Sequence, residues 1–123
     1  HARICNIVKF AEQQGISLPL PDEVNLELLN LPEEIHLIKL LSSFPELVEN
    51  CALTLEPHRI TIYLNELVSS FHRYYHLGKL DGGKRVVCDD VELSRSRLWL
   101  VNTIKVVIKN GLSLLGVRAP EKM

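Results

Sequence analysis

Apolar residues recur along most of this chain at the i, i+3, i+4, i+7 spacing of a helix face, and strand-like alternation is scarce. Ile4, Ile7, Val8 and Ala11 predict a helix over residues 1–14, with Gly15 as its stop. No capping residue stands before His1, so this helix is expected to be cut at its N-terminal end and to continue upstream. Residues 15–31 carry Pro19 and Pro21 and should be irregular, with one short helical turn over 24–29. Leu18, Leu20, Leu26 and Leu29 are expected to pin that segment to the core. Three more helices are expected to start on prolines. Pro32-Glu33-Glu34 puts proline in a first turn, with acids beside the positive end of the helix dipole, ahead of Ile35, Ile38 and Leu41. Pro45 leads a stripe of Leu47, Val48, Cys51, Ala52 and Leu55. Pro57 leads a longer one of Ile60, Tyr63, Leu64, Leu67, Val68, Phe71, Tyr74 and Tyr75. Three glycines and three aspartates mark residues 78–90 as a loop. A last helix over residues 91–115, with Leu98, Val101, Ile104, Ile108 and Leu115 on its stripe, ends at Gly116 and Pro120. The expected fold is all-α: a single helical bundle of about five helices and one domain over residues 1–123, with no internal repeat or linker.

Length and composition fit that picture. A chain of 123 residues, 46% hydrophobic and 24% charged, can bury one core and is too apolar to be disordered. No apolar run is long enough to span a bilayer, and no charged-then-apolar leader opens the chain. Cys5, Cys51 and Cys88 are odd in number and far apart, which predicts reduced thiols, two of them buried on helices, in a cytosolic protein. The net charge of −1 and pI near 6.6 lie well below the pI of about 9 typical of a non-specific nucleic-acid binder. The charge is uneven, however. Residues 1–61 carry four basic and nine acidic residues, and residues 62–123 carry ten and six, so the halves stand at −5 and +4. Such asymmetry suggests one basic face.

Few motifs point to catalysis. Gly78-Lys79-Leu80-Asp81-Gly82-Gly83-Lys84-Arg85 approaches a phosphate-binding loop, but Arg85 stands where Ser or Thr must hold magnesium, and no buried strand precedes it. A glycine-rich connector is the expected reading. His72 and His76 share a helix face at i, i+4, yet no Glu follows His72 and no acid or cysteine completes a metal site. Glu33-Glu34 is accounted for by helix-start electrostatics, and Asp89-Asp90 by capping of the last helix. No serine or cysteine nucleophile has a histidine in a recognisable arrangement. Tyr74 and Tyr75 differ: consecutive helical residues point about 100° apart, so only one can centre the core stripe. The other is expected at the margin, as a core-edge aromatic or as a platform for an unstacked base.

In order along the chain stand His1-Ala2-Arg3, Leu55-Glu56-Pro57-His58-Arg59, Phe71-His72-x-x-Tyr75, Arg97-Leu98, Asn110-Gly111-Leu112-x-Leu114-Leu115-Gly116 and Pro120-Glu121-Lys122-Met123. Together they resemble the C-terminal, DALR-type anticodon-binding domain of arginyl-tRNA synthetases over nearly the whole chain. In that family the opening helix carries a Tyr-Ala-His-Ala-Arg-like segment, whose tyrosine would lie upstream of His1, and Arg is usual at the position of Lys122. Trp99 stands where the family often has a small residue, so local repacking is expected.

The resemblance implies a bundle of the class I synthetase anticodon-binding type that holds the anticodon loop of arginine tRNA. It assigns RNA contacts to Arg3, Tyr75 and Met123, and weaker ones to His72 and Lys122. Arg3 would supply a forked donor, Tyr75 would stack or hydrogen-bond with a loop base, and Met123 would set a soft apolar side chain against an anticodon base. It further implies a cytoplasmic monomer with no DNA or membrane partner, joined to an upstream catalytic Rossmann domain absent from this chain. The cofactor, ATP with magnesium, would belong to that domain, and none would bind here. Two other readings remain: a helical protein–protein interaction module that docks a partner on its loop leucines, and the equivalent domain of another class I synthetase, such as the cysteinyl enzyme. The isolated chain is expected neither to activate arginine nor to charge tRNA, and aminoacylation by the purified chain would refute this.

Overall fold

Four α-helices carry the described part of the chain: α1 (Ala2–Gln13), α2 (Pro32–Thr54), α3 (His58–Leu80) and α4 (Val91–Leu114). The computed structural model describes residues 2–116. Short 3₁₀ turns at Pro21–Glu23, Leu26–Leu28 and Gly82–Lys84 interrupt the connections, and no strand occurs among the described residues. No described helix is long and apolar enough to cross a membrane.

The all-α class agrees with the periodicity, but there are four helices where about five were expected. The stretches led by Pro32 and Pro45 form one continuous helix, with Pro45 inside it. An internal proline removes one backbone bond, here to residue 41, and crowds the preceding turn. Hydroxyls donate to other carbonyls ahead of the proline. Ser42 Oγ donates to the Ile38 carbonyl at 2.8 Å, while Ser43 Oγ at 2.7 Å and Tyr63 Oη at 2.5 Å donate to that of Leu40. Burial pushes the Tyr63 hydroxyl up to about 12. Helix α2 ends instead at Leu55, in the left-handed region at φ 56°.

Tyr63 meets Leu40 and stacks on Phe44, while Tyr74 meets Glu34, so α2 and α3 run antiparallel. Helix α4 packs against the other three and is the centre of the bundle. Its Leu98, Leu100, Val101 and Ile104 are wholly buried, facing Ile4 of α1, Leu37 of α2 and Leu67 of α3 in one core. Asp90 caps it, with Oδ1 accepting from the Leu93 N–H at 3.2 Å. Trp99 is half-buried on α4. The stripe on α3 is as expected, with Tyr75 and Val68 at its edge. That on α2 is rotated: Glu34, Leu37, Phe44 and Cys51 are buried, Ile38 and Leu41 half-buried, and Ile35, Ala52 and Leu55 exposed. Of the three thiols only Cys51 is buried, where two were expected.

The connection from α1 to α2 also departs from expectation. Ile16, Pro19 and Leu29 anchor it, whereas Leu18, Leu20 and Leu26 are exposed. Polar contacts replace them: Arg95 Nη2 meets Glu23 Oε2 at 3.2 Å, and Ser96 Oγ donates to the Asn25 carbonyl at 3.3 Å.

The rotation of α2 follows from a charge inside the core. Glu34 is fully buried and Arg97 of α4 almost so. Glu34 Oε2 accepts from Arg97 Nε at 2.8 Å and from the Tyr74 hydroxyl at 2.6 Å, while Oε1 accepts from the Leu31 N–H at 3.1 Å. Removing one partner of a buried ion pair strands the other. Arg97→Met is therefore expected to cost about 3–5 kcal/mol in urea unfolding. Arg95→Ala, at the exposed pair with Glu23, should have a far smaller effect.

Candidate functional site

A cavity of about 790 Å³ opens where α1 crosses the C-terminal half of α3, closed at one end by residues 84–87 and floored by α4. Ile7, Val68, Ile108 and Leu112 form its apolar back. Its polar wall holds Arg3, Lys79, Lys84 and Arg85 with His72 and Tyr75, and no Asp or Glu lines it among the described residues. Four cations without a carboxylate are a marked concentration in a chain of net charge −1.

Helical spacing aligns one wall. His72, Tyr75 and Lys79 stand at i, i+3 and i+7 on α3 and so share a face. Phe71 lies beneath them, with ring centroids 5.8 Å from His72 and 6.2 Å from Tyr75. Arg3 reaches across from α1. Its guanidinium carbon is 4.6 Å from the centre of the Tyr75 ring, and Lys79 Nζ is 5.3 Å from that centre. Both distances suit cation–π attraction. Arg3 Nη1 also donates to His72 Nδ1 at 3.4 Å, which sets the imidazole as acceptor at Nδ1. Burial, followed by the charge of Arg3, lowers the His72 pKa below its ordinary value.

The adjacent tyrosine also borders the cavity but commits its hydroxyl to the core. Tyr74 is 1% exposed and bonded to Glu34, whereas Tyr75 is half-buried at the cavity. Burial and then the charge of Glu34 raise the Tyr74 pKa, so its hydroxyl stays protonated and donates. The expectation that one of the pair sits at the margin is met by Tyr75.

The remaining wall is a loop held to the helices. Arg97 Nη1 donates to the Gly83 and Arg85 carbonyls at 2.7 and 2.8 Å. Arg85 Nε donates to the Gly78 carbonyl at 3.0 Å. Gly78 belongs to α3, and Gly82–Lys84 is a 3₁₀ turn after a helix, not a strand-to-helix phosphate loop. The glycine segment therefore lacks the architecture of a phosphate-binding loop.

Of the residues singled out from sequence, the fold brings Arg3, His72 and Tyr75 together. Met123 and Lys122 lie outside the described residues. Lys79, Lys84 and Arg85 were missed, although the spacing of Tyr75 and Lys79 and the basic residues in the glycine cluster were visible signals. The buried Glu34–Arg97 pair spans 63 residues and carries no local signal.

Comparison with known proteins gives a consistent answer. The family model for the DALR anticodon binding domain matches residues 1–123. Arginine–tRNA ligases of Syntrophotalea carbinolica, Geobacter metallireducens and Moorella thermoacetica are 48%, 50% and 42% identical over the 123 residues. Each alignment covers all of this chain and 21% of the relative, so the chain spans about a fifth of their length. No solved structure gives a significant match.

The Arg3–His72 contact predicts a titration. A histidine whose folded pKa is lowered binds fewer protons than the unfolded chain below about pH 6.5. Its contribution to stability is therefore present at neutral pH and is lost as pH falls below that value. By NMR, the His72 midpoint should lie below 6.5 and move part of the way back in Arg3→Ala, since burial remains.

Proposed function

We propose that this chain, which belongs to the DALR anticodon binding domain family, reads the anticodon loop of arginine tRNA on behalf of an arginine–tRNA ligase. The observation that carries the reading is the cavity itself: an aromatic ring and a guanidinium stacked at the mouth of an apolar pocket whose wall holds four cations and, among the described residues, no carboxylate. RNA is read in sequence mainly at single-stranded loops, whose splayed bases stack on aromatic or arginine planes and offer their edges. Each such stack contributes about 1–3 kcal/mol and needs little net charge on the protein.

In this reading Arg3 and Tyr75 act as a unit. Arg3 lies over the tyrosine ring, so an incoming base stacks on the pair or displaces the guanidinium, which then turns its fork to the base edge. Arginine codons share a middle G, so the tRNAs share a middle anticodon C, whose O2 and N3 accept from such a fork. His72 holds Arg3 until the base arrives. Met123, against an anticodon base, and Lys122 belong to the same proposal, beyond the described residues.

The wider assignments are likewise proposals. Residues 1–123 form one domain of a longer, monomeric, cytoplasmic enzyme. Its upstream Rossmann domain binds ATP and magnesium and performs the ligation, and this domain contributes recognition alone. The arginine–tRNA ligase names of the relatives, and alignments that leave most of each relative uncovered, support this.

A second reading rests on a different surface. Leu18, Leu20 and Leu26 are 39%, 64% and 47% exposed on the connection before α2, as a protein-docking segment would be. Binding assays separate the two. An anticodon stem–loop with the middle C is expected to bind more tightly than one with that base replaced, and Tyr75→Ala should abolish the difference while the helix content of the domain is retained. Equal binding of the two loops, unchanged by Tyr75→Ala, would favour the docking reading.

A further inference from the structure

The cavity carries more positive charge than base reading uses. Lys79, Lys84 and Arg85 share its wall with Arg3, and no carboxylate among the described residues neutralises them there. Lys84 and Arg85 also stand on a fixed support. The carbonyls of Gly83 and Arg85, which flank Lys84, accept from Arg97 Nη1 at 2.7 and 2.8 Å, and Arg97 is itself anchored by Glu34. Arg85 Nε is bound to the Gly78 carbonyl at 3.0 Å. The loop lies so close to α3 that a Cβ on Gly78 would stand 3.0 Å from the Arg85 Cα. A cation presented from backbone already held in place loses less conformational freedom when it meets an anion. Lys79 joins the two parts of the site, since its ammonium is 5.3 Å from the centre of the Tyr75 ring.

We propose that Lys79, Lys84 and Arg85 form a rim that grips RNA backbone phosphates next to the base-reading pair Arg3 and Tyr75. This rests on the RNA-loop reading of the cavity and adds a division of labour within it. The rim supplies affinity that falls with salt and ignores sequence, and the stack supplies the choice of base. A cationic track beside an aromatic platform is the arrangement that holds a single strand by backbone and base together.

The two roles separate in a salt series. The chain is titrated with a labelled arginine anticodon stem–loop and with its middle-base variant, from about 0.05 to 0.3 M monovalent salt. Lys79→Gln/Lys84→Gln is the test variant, and Arg85 is kept because its Nε fastens the loop. Lys39→Gln/Lys105→Gln removes the same charge outside the cavity. Circular dichroism melting confirms that each variant is folded. The test variant is expected to weaken both loops by the same factor and to lower the slope of log K against log salt by roughly 1.4, at about 0.7 per single-strand phosphate. Preference for the middle C should persist, and the control should keep the wild-type slope. An unchanged slope, or an equal fall in the control, overturns the rim, and the anticodon reading survives if the preference remains. A lowered slope without any wild-type preference supports the rim and overturns the anticodon reading. Absence of wild-type binding to either loop at low salt overturns both.

Discussion

One ion pair shut away from water, Glu34 with Arg97, holds the rest of this structure in register. Glu34 uses both carboxylate oxygens. One closes the first turn of α2 on the Leu31 N–H, and the other receives the Arg97 guanidinium and the Tyr74 hydroxyl. Arg97 extends the contact to the loop after α3 through two carbonyls. Taking two charges out of water is costly, and the attraction between them offsets that only when geometry is good and the remaining hydrogen-bonding positions are filled. Here they are filled largely by groups from other elements. The pair therefore forms only when α2, α3, α4 and the loop are all in place, so its contribution lies in selecting one arrangement.

That selection passes to the cavity through two adjacent residues on α3. Tyr74 points into the bundle and is bonded to Glu34, which fixes the rotation of α3 about its axis. Tyr75, about 100° round the helix, is thereby aimed at the cavity mouth, where Arg3 covers it. The loop bearing Lys84 and Arg85 is located by Arg97, the partner of the same carboxylate. Both the stack and the cationic wall thus take their positions from one buried centre.

Much of the bundle was legible in the sequence because the apolar period survives wherever a helix faces a continuous core. The stripe of α3 from Ile60 to Tyr74 reads correctly, as do the glycine stops at Gly15 and Gly116, both at φ 77°. The failures have physical causes. Pro45 reads as a start because a proline in the first turn of a helix and one tolerated inside it leave the same local pattern in the sequence. Glu34 reads as a dipole-compensating surface acid because its partner lies 63 residues away. Leu18, Leu20 and Leu26 read as core because apolar character alone does not tell a buried leucine from an exposed one. At the site, Arg3, His72 and Tyr75 were reached through family resemblance. Lys79, Lys84 and Arg85 escaped because they become one wall only when α3 and its loop fold back on each other.

The most direct measurement of the central claim is an amide and side-chain NMR map of the chain titrated with the arginine anticodon stem–loop. If the buried centre aims this cavity at RNA, the largest shifts should fall on Arg3, His72, Tyr75, Lys79 and Lys84, with the Arg97 side-chain signals little changed in position. Shifts confined to the exposed leucines before α2, or to Leu53, Leu55 and Ile62 at the α2–α3 turn, would contradict it.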